Sequence, residues 1–448
     1  MSYESEFASY RPLARIAEAE RVRTLLGRAR TLDTPLIAAP HTAQIAATNS
    51  APLPDFILAV DGSYAEVDVR NGYPGAKVGY CTVASVLLNL REIETLDTAR
   101  PVDPVAFRKT EESGTIDAAL PGANVVIKTH TAARDSFREA VYDVLHDEVV
   151  DEDDGTRLLD TYEALLALKP QGRAPICPYD QDGCQEHLNP SKGVTSCVCA
   201  KKRAIYSTDA LRIHERFHDA GTNGEAFGEV MQVWERLILI HLLRCFERRG
   251  WLPQINRFAF FLDGPLAVFG HPAWLSAAIG HELKRINTIV RAKAGEDLTI
   301  IGIEKTGTFV SHFDEIDQTD TGEARFAPRS YLLPTDKYIK ERIIFSSSEK
   351  RYGEDTYFGR KFFYKTVSGA RIVANIPFLS DEQDTLDSGD VTLYPRFPVI
   401  CHLLDRLVSS HFPNALSPIV SAHSHAAIPL NLGAKVLQQL ARALMKKD

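Results

Sequence analysis

The chain has 448 residues, 44% of them hydrophobic and 25% charged, close to a folded globular protein and far from disordered, collagen-like or disulfide-scaffold chains. That length predicts about two to four domains, or one large domain with insertions. A formal net charge of −8, from 51 basic and 59 acidic side chains, excludes a protein that coats nucleic acid by bulk positive charge. An enzyme on nucleic acid whose site collects carboxylates stays open. The longest apolar runs, such as Leu237 to Leu243, fall far short of the roughly 18 residues that a membrane-spanning helix needs. Met1 to Arg30 mixes Glu and Arg and does not read as a secretory signal, and seven cysteines, an odd number, fit a reducing cytoplasm.

From Phe7 to Leu36, apolar residues recur at three and four, which predicts one or two surface helices in an N-terminal helical segment, residues 1–50. A Pro- and Ala-rich stretch, Ala39 to Pro54, follows. Phe56 to Val60 reads as a buried strand that turns at Asp61-Gly62-Ser63. Tyr64 to Val69 and Lys77 to Leu90 predict two further strands in a meander with it. Glu92 to Gly122 turns polar and reads as a long loop or lid. Helical periodicity returns at Arg134 to Val149 and Arg157 to Leu168, separated by a solvated acidic turn at Asp151 to Asp154. Together residues 51–169 form the first part of a core.

Residues 170–203 hold four cysteines with several Pro and Gly, and read as an insertion. Residues 204–448 then complete the core. A long helix is expected at Glu225 to Arg248, a strand at Phe258 to Leu262 closed by Asp263-Gly264-Pro265, a helix at Pro272 to Ala294 and a strand at Leu298 to Ile303. That alternation predicts an α/β fold with a mixed sheet flanked by helices. Short strands are expected at Ile343 to Phe345, Phe362 to Thr366 and Arg371 to Asn375, and a final helix at Leu432 to Met445.

Asp61 and Asp263 each close an apolar run at the carboxyl end of a strand, where open α/β sheets place their ligands. Singly, each is an ordinary turn former. Side by side, the two carboxylates would repel unless a cation lay between them. Glu235 shares a helical face with Ile238, Leu239 and Leu242, so it points into apolar surroundings. Its alternative is a pair with Arg236, Arg244 or Arg248. Glu229 and Glu247 lie nearer the helix ends and are weaker candidates. His423 and His425, at i and i+2, offer imidazoles that suit Mn²⁺ or Zn²⁺ or the transfer of a proton; singly, each also reads as a packed or surface histidine.

The order of Asp61-Gly62-Ser63, a helical Glu, Asp263-Gly264-Pro265-Leu266, Ile301-Gly302-Ile303-Glu304-Lys305-Thr306 and Ala422-His423 resembles the NurA nucleases. The resemblance covers Leu53 to Leu90 and Val230 to Leu440. It implies an RNase H-like fold and a Mn²⁺-dependent deoxyribonuclease, with Mg²⁺ as the alternative metal, acting on DNA ends as a homodimer beside the hexameric ATPase HerA. Asp61 and Asp263 match the metal-binding aspartates, Glu235 the helical glutamate, His423 the C-terminal histidine as metal ligand or proton-transfer group, and Lys305 a family lysine. Phe412-Pro413 departs from the Tyr-Pro of the family pattern, and the spacing from Glu235 to Asp263 is longer. The setting is DNA repair or antiphage defence. Hydrolysis of a phosphodiester needs an activated water and a stabilised leaving oxygen, which carboxylate-held metal supplies.

In the insertion, Cys177-x6-Cys184 and Cys197-x-Cys199 offer four thiolates, a set that suits a closed tetrahedral Zn²⁺ site in a zinc-ribbon-like fold. Four packed, reduced thiols are the alternative, and His187, His214 or His218 could replace a cysteine. Lys201-Lys202-Arg203 reads as a phosphate contact or a solvated face. Cys81, Cys245 and Cys401 read as packed thiols. Two other functions compete with the nuclease: a non-catalytic assembly or adaptor subunit of a HerA-type complex, and a metal phosphoesterase acting on a small nucleotide.

Overall fold

The structure is a computed structural model that describes residues 11–29, 43–44, 52–72, 75–91, 111–150, 155–172, 174–188, 191–318, 323–408, 416–428 and 432–445. Its centre is a mixed sheet. The apolar run at residue 56 opens β2 (Phe56–Arg70), which pairs antiparallel with β3 (Ala76–Asn89), and β3 in turn with β4 (Glu111–Pro121). On its other edge β2 runs parallel to β7 (Phe258–Asp263), and β7 parallel to β8 (Ile300–Glu304). This is the meander-plus-crossover order of an RNase H-like core. Beyond β8 the sheet continues antiparallel through β11 (Arg371–Pro377), β10 (Gly359–Lys365) and β9 (Ser330–Leu332) to β1 (Ala43–Gln44), giving nine strands among the described residues. A separate hairpin, β5 (Val194–Ser196) with β6 (Ala204–Tyr206), lies in the cysteine segment.

Alternation along the strands divides the core into two faces. Leu58, Val60, Phe260, Leu262 and Ile300 pack beneath α5 (Gly224–Arg248) and α6 (Leu275–Ala294), together with α3 (Ala133–Asp147) and α4 (Leu158–Leu166). Ile57, Ala59, Phe261, Ile301 and Ile303 pack beneath α9 (Phe397–Leu407) and α10 (Ser417–Ala426). A third cluster joins α7 (Thr308–Asp317) and α8 (Asp336–Arg342) to Phe363 and Val373. The chain also carries α1 (Arg11–Glu18) and α2 (Glu20–Arg28), in a unit of their own over residues 1–40, and a last helix, α11 (Leu432–Met445). No helix among the described residues is long and apolar enough to cross a membrane.

Four expectations about elements change. Asp61-Gly62-Ser63 is no turn: Phe56–Arg70 is one strand, because Asp61 to Asp68 stay in register with β3, from Ala84 to Lys77. Glu111–Pro121 is a strand in the segment read as a loop, with Ser113, Thr115 and Asp117 on the exposed side of an edge strand. Ile343 to Phe345 is not a strand, since Ile343 caps α8 and Phe345 takes a positive φ of 50°. The N-terminal segment read as helical also contains β1. The acidic run at 151–154, residues 92–110 and Phe412-Pro413 lie outside the described residues.

Candidate active site and cysteine cluster

The unequal lengths of two parallel neighbours create the site. β7 stops at Asp263 while β2, paired with it only as far as Val60–Leu262, continues to Arg70. A notch therefore opens beyond the end of β7, and five elements deliver side chains to it. Asp61 lies within β2, at the end of its parallel portion; Asp263 is the last residue of β7. Lys305 follows β8, and His423 comes from α10, which seats Ile419 and Ala422 on the same sheet face as Asp61. Glu235 arrives from the opposite face on α5, against Gly62.

Asp61 is 1% exposed, and its Oδ1 accepts the Gly62 N–H at 2.8 Å. Its Oδ2 lies 2.8 Å from His423 Nδ1 and 3.9 Å from Lys305 Nζ. Lys305 Nζ also reaches Asp263 Oδ1 at 3.0 Å. The cation that two adjacent carboxylates require is here the ammonium of Lys305. Burial, then the like charge of Asp263, pushes the Asp61 carboxyl up to about 6, against the pull of Lys305 and His423. Burial drives Glu235 up to about 8; Arg236 opposes it, and Asp61 and Asp263 add to it. Two carboxyls held this far above their ordinary values in one notch mark a place built for added positive charge. His425 does not share this role, because on helical α10 it points about 200° away from His423.

Arg236 is more than a partner for Glu235. Its Nη1 donates to Glu235 Oε2, its Nη2 to the carbonyls of Asp263 and Pro265 at 3.3 and 3.0 Å, and its Nε to Ala267 O at 3.3 Å. One buried guanidinium thus ties the helix glutamate to the loop that follows Asp263. The planar fork of arginine suits this, and lysine could not span it. Glu229 and Glu247 stay outside the notch, engaged with Arg216 and Arg285.

Gly62 sets the approach of α5. A Cβ at this position would stand 2.7 Å from both Glu235 Oε1 and Met231 Cγ, so a larger residue would push these two side chains from their places. We expect Gly62→Ala to displace Glu235 from the notch, which a crystal structure of the variant would show and an unmoved Glu235 would refute.

The donor set fits a divalent cation: two carboxylates and an imidazole edge the notch, with a third carboxylate behind Gly62. It is not drawn in as a closed cage. Among the described residues only three cysteines bring ligand atoms within 4.8 Å of one another, and no three of these four residues do so. Lys305 between the aspartates accounts for the wider spacing.

The NurA domain family matches this chain over residues 56–428, from the first residue of β2 to just beyond α10. The chain belongs to that family. Among solved structures, the NurA nuclease from Sulfolobus solfataricus is 10% identical, covering 91% of this chain and 88% of that chain with a TM-score of 0.34. A second, described as NurA, is 10% identical over 88% and 89% with a TM-score of 0.28. No curated protein matches. Asp61, Glu235, Asp263 and His423 all lie inside the matched NurA domain, and so does the cysteine segment.

That segment within the NurA domain is two small turns facing each other. Ile176 bridges His187, with Cys177 and Cys184 in the intervening loop, while Cys197 and Cys199 occupy the tip between β5 and β6. Cys197 Sγ lies 3.5 Å from Cys177 Sγ and 3.7 Å from Cys184 Sγ, and all are free thiols. Sulfurs around a tetrahedral zinc at about 2.3 Å stand about 3.8 Å apart, so three of the thiols are spaced to hold one such ion. The Cys199 N–H points at Cys197 Sγ at 3.4 Å. Cys199 itself is not in the converged trio, although the Cys197 thiol and the Lys201 and Lys202 backbone lower its pKa. His214 is no substitute ligand: it is buried beside Asp209, and burial followed by Arg138 and Arg134 holds it well below its ordinary value. Arg203 and Arg138 approach the Tyr179 ring at 3.6 and 4.5 Å, which locks the segment onto α3.

Proposed function

We propose that this chain is a metal-dependent deoxyribonuclease that hydrolyses phosphodiester bonds, from DNA ends, at the notch beyond β7. The observation that carries the reading is the convergence of Asp61, Asp263, Glu235 and His423 from four separated elements within a NurA domain. The name of a similar structure, a NurA nuclease, agrees with it.

Asp61 and Asp263 would hold the metal, with His423 as a further ligand, and Glu235 would position it or a water. A bound divalent ion would polarise the phosphoryl oxygen and acidify a water. Imidazole in the set favours Mn²⁺, with Mg²⁺ as the alternative. The chain's own groups do the rest. Arg236 keeps Glu235 and the Asp263 loop at fixed separation, Gly62 admits Glu235, and Lys305 keeps an ammonium within reach of the scissile phosphate or its leaving oxygen. The alternative role of His423, half exposed beside Asp61, is to move a proton at the solvent edge of the site.

The acidic balance of −8 supports a division of labour in which a HerA-like hexameric ATPase grips and feeds DNA to a NurA homodimer. The test is incubation of end-labelled linear single- and double-stranded DNA with purified protein in Mn²⁺, Mg²⁺ or EDTA, with and without such an ATPase and ATP. Shortening of the labelled strand in metal but not in EDTA is the expected result. Intact DNA under every condition overturns the reading.

The cysteine segment is the site of a structural Zn²⁺ held by Cys177, Cys184 and Cys197, with Cys199 as fourth ligand. We expect purified protein to carry one zinc per chain by elemental analysis. Cys177→Ser should lose the zinc and melt several degrees lower, since the metal stabilises a segment with only a small apolar cluster of its own. Full zinc content in that variant would exclude this ligand set.

A further inference from the structure

The Lys305 ammonium stands 3.0 Å from Asp263 Oδ1 and 3.9 Å from Asp61 Oδ2, and the sheet alone does not hold it there. Ladder pairing of β8 stops before Lys305: it reaches Ile303 on the β7 side and Glu304, opposite Val373, on the β11 side. Lys305, Thr306, Gly307 and Thr308 then run exposed, until Phe309 is buried in the first turn of α7. One buried side chain meets both ends of that loop. Lys361 of β10, 3% exposed, donates its Nζ to Glu304 Oε1 at 2.5 Å, and the same Nζ lies 4.2 Å from the centroid of the Phe309 ring, with the Tyr357 ring at 5.0 Å. Asn375, paired with Lys361 across β11 and β10, donates its Nδ2 to the same Glu304 oxygen at 2.7 Å. By strand alternation Lys361 and Asn375 share the face of Phe363 and Val373, opposite the face of Asp61.

Stability does not explain a buried ion pair in this place. Taking an ammonium and a carboxylate out of water costs as much as their attraction returns, and an apolar pair of similar bulk is often as stable or more so. Burial lowers the pKa of Lys361 against the pull of Glu304, the same cost seen from the ammonium. What the charges add over apolar bulk is direction. A charge-assisted hydrogen bond fixes the last paired residue before Lys305, and the cation seated on the Phe309 ring fixes the first buried residue after it.

We propose that Lys361 is a positioning residue: through Glu304 and Phe309 it clamps both ends of the loop that carries Lys305, and so keeps the Lys305 ammonium between Asp61 and Asp263. The proposal rests on the nuclease reading. An ammonium in that place competes with a divalent cation for the two carboxylates. Releasing it therefore moves metal binding and turnover in opposite directions, which a loss of folding does not. The test is Mn²⁺ affinity of the zinc-loaded protein, from free Mn²⁺ by electron paramagnetic resonance, together with kcat on labelled DNA. Wild type is compared with Glu304→Gln/Lys361→Met, with Lys305→Met and with all three substitutions together. Glu304→Gln/Lys361→Met keeps the bulk of both side chains and leaves Asn375 an acceptor. It should melt no lower than wild type and turn over more slowly, while binding Mn²⁺ about tenfold more tightly, as partial loss of one neighbouring unit charge implies. Added to Lys305→Met, the same two substitutions should change neither affinity nor kcat. If the paired variant does not fold, Phe309→Leu, which frees the other end of the loop, is read in the same way. Unchanged or weaker Mn²⁺ binding in a folded variant, or effects that persist in full without Lys305, overturn the positioning role alone. A wild type that takes up no Mn²⁺ and cleaves no DNA refutes the nuclease reading, and the proposal with it.

Discussion

Asp263→Asn is expected to lower metal-dependent cleavage by at least about a thousandfold, the several kcal/mol that a polarising cation supplies to a phosphoryl transition state. Asp61→Asn should do the same. The reason that both should be severe is geometric: each aspartate comes from a different strand, and no neighbouring carboxylate can swing into its place, since Glu235 is tied to Arg236. What separates this from a folding defect is the direction of the stability change. In the metal-free protein Asp61 is buried, crowded by Asp263 and pushed up to about 6, so an amide there relieves repulsion. Both variants should melt no lower than wild type without metal at pH 8. A loss of activity accompanied by a large drop in melting temperature would mean that the aspartates serve the fold.

The second large effect is in pH. Asp61 has an ordinary value of 3.8 and stands at about 6 in the folded chain; Glu235 has 4.5 and stands at about 8. Both bind protons more tightly folded than unfolded. Their contribution to stability is therefore full below the ordinary values and is lost as pH rises through about 6 and then about 8. Metal binds the deprotonated forms and must expel those protons. The metal-free protein should thus melt progressively lower from pH 5 to pH 8, as these two groups lose their protons near 6 and near 8, while the rise in melting temperature on adding Mn²⁺ grows across the same window. Thermal melts with Mn²⁺ or EDTA at stepped pH measure both trends. In Asp61→Asn the part of the trend centred near 6 should vanish. A metal-induced shift that is flat or falls with pH would contradict the site.

The parts of this arrangement that could be read from the sequence are those marked by local chemistry. An apolar run followed by Asp-Gly marks Asp263 as the last residue of a parallel strand, and the apolar neighbours of Glu235 show a carboxylate with nowhere to go but a buried partner or a site. What stayed hidden depends on partners distant in sequence. Asp61-Gly62-Ser63 carries the local signature of a turn, and only pairing with β3 keeps it extended. β4 has too polar a face to show as a strand, because it packs one side only. Arg236 is one of many arginines until the loop after Asp263 folds back onto it. His423 and His425 look equivalent in the sequence, and the helical backbone of α10 separates them.

The measurement that tests the central claim most directly is titration of the zinc-loaded protein with Mn²⁺ at pH 8, following free Mn²⁺ by electron paramagnetic resonance. Wild type and Asp263→Asn should be run side by side, with circular dichroism to establish that both are folded. Saturable uptake by wild type that is lost in folded Asp263→Asn is the predicted result. Equal uptake by the two proteins would show that the metal, and with it the hydrolytic centre, is not held at the end of β7.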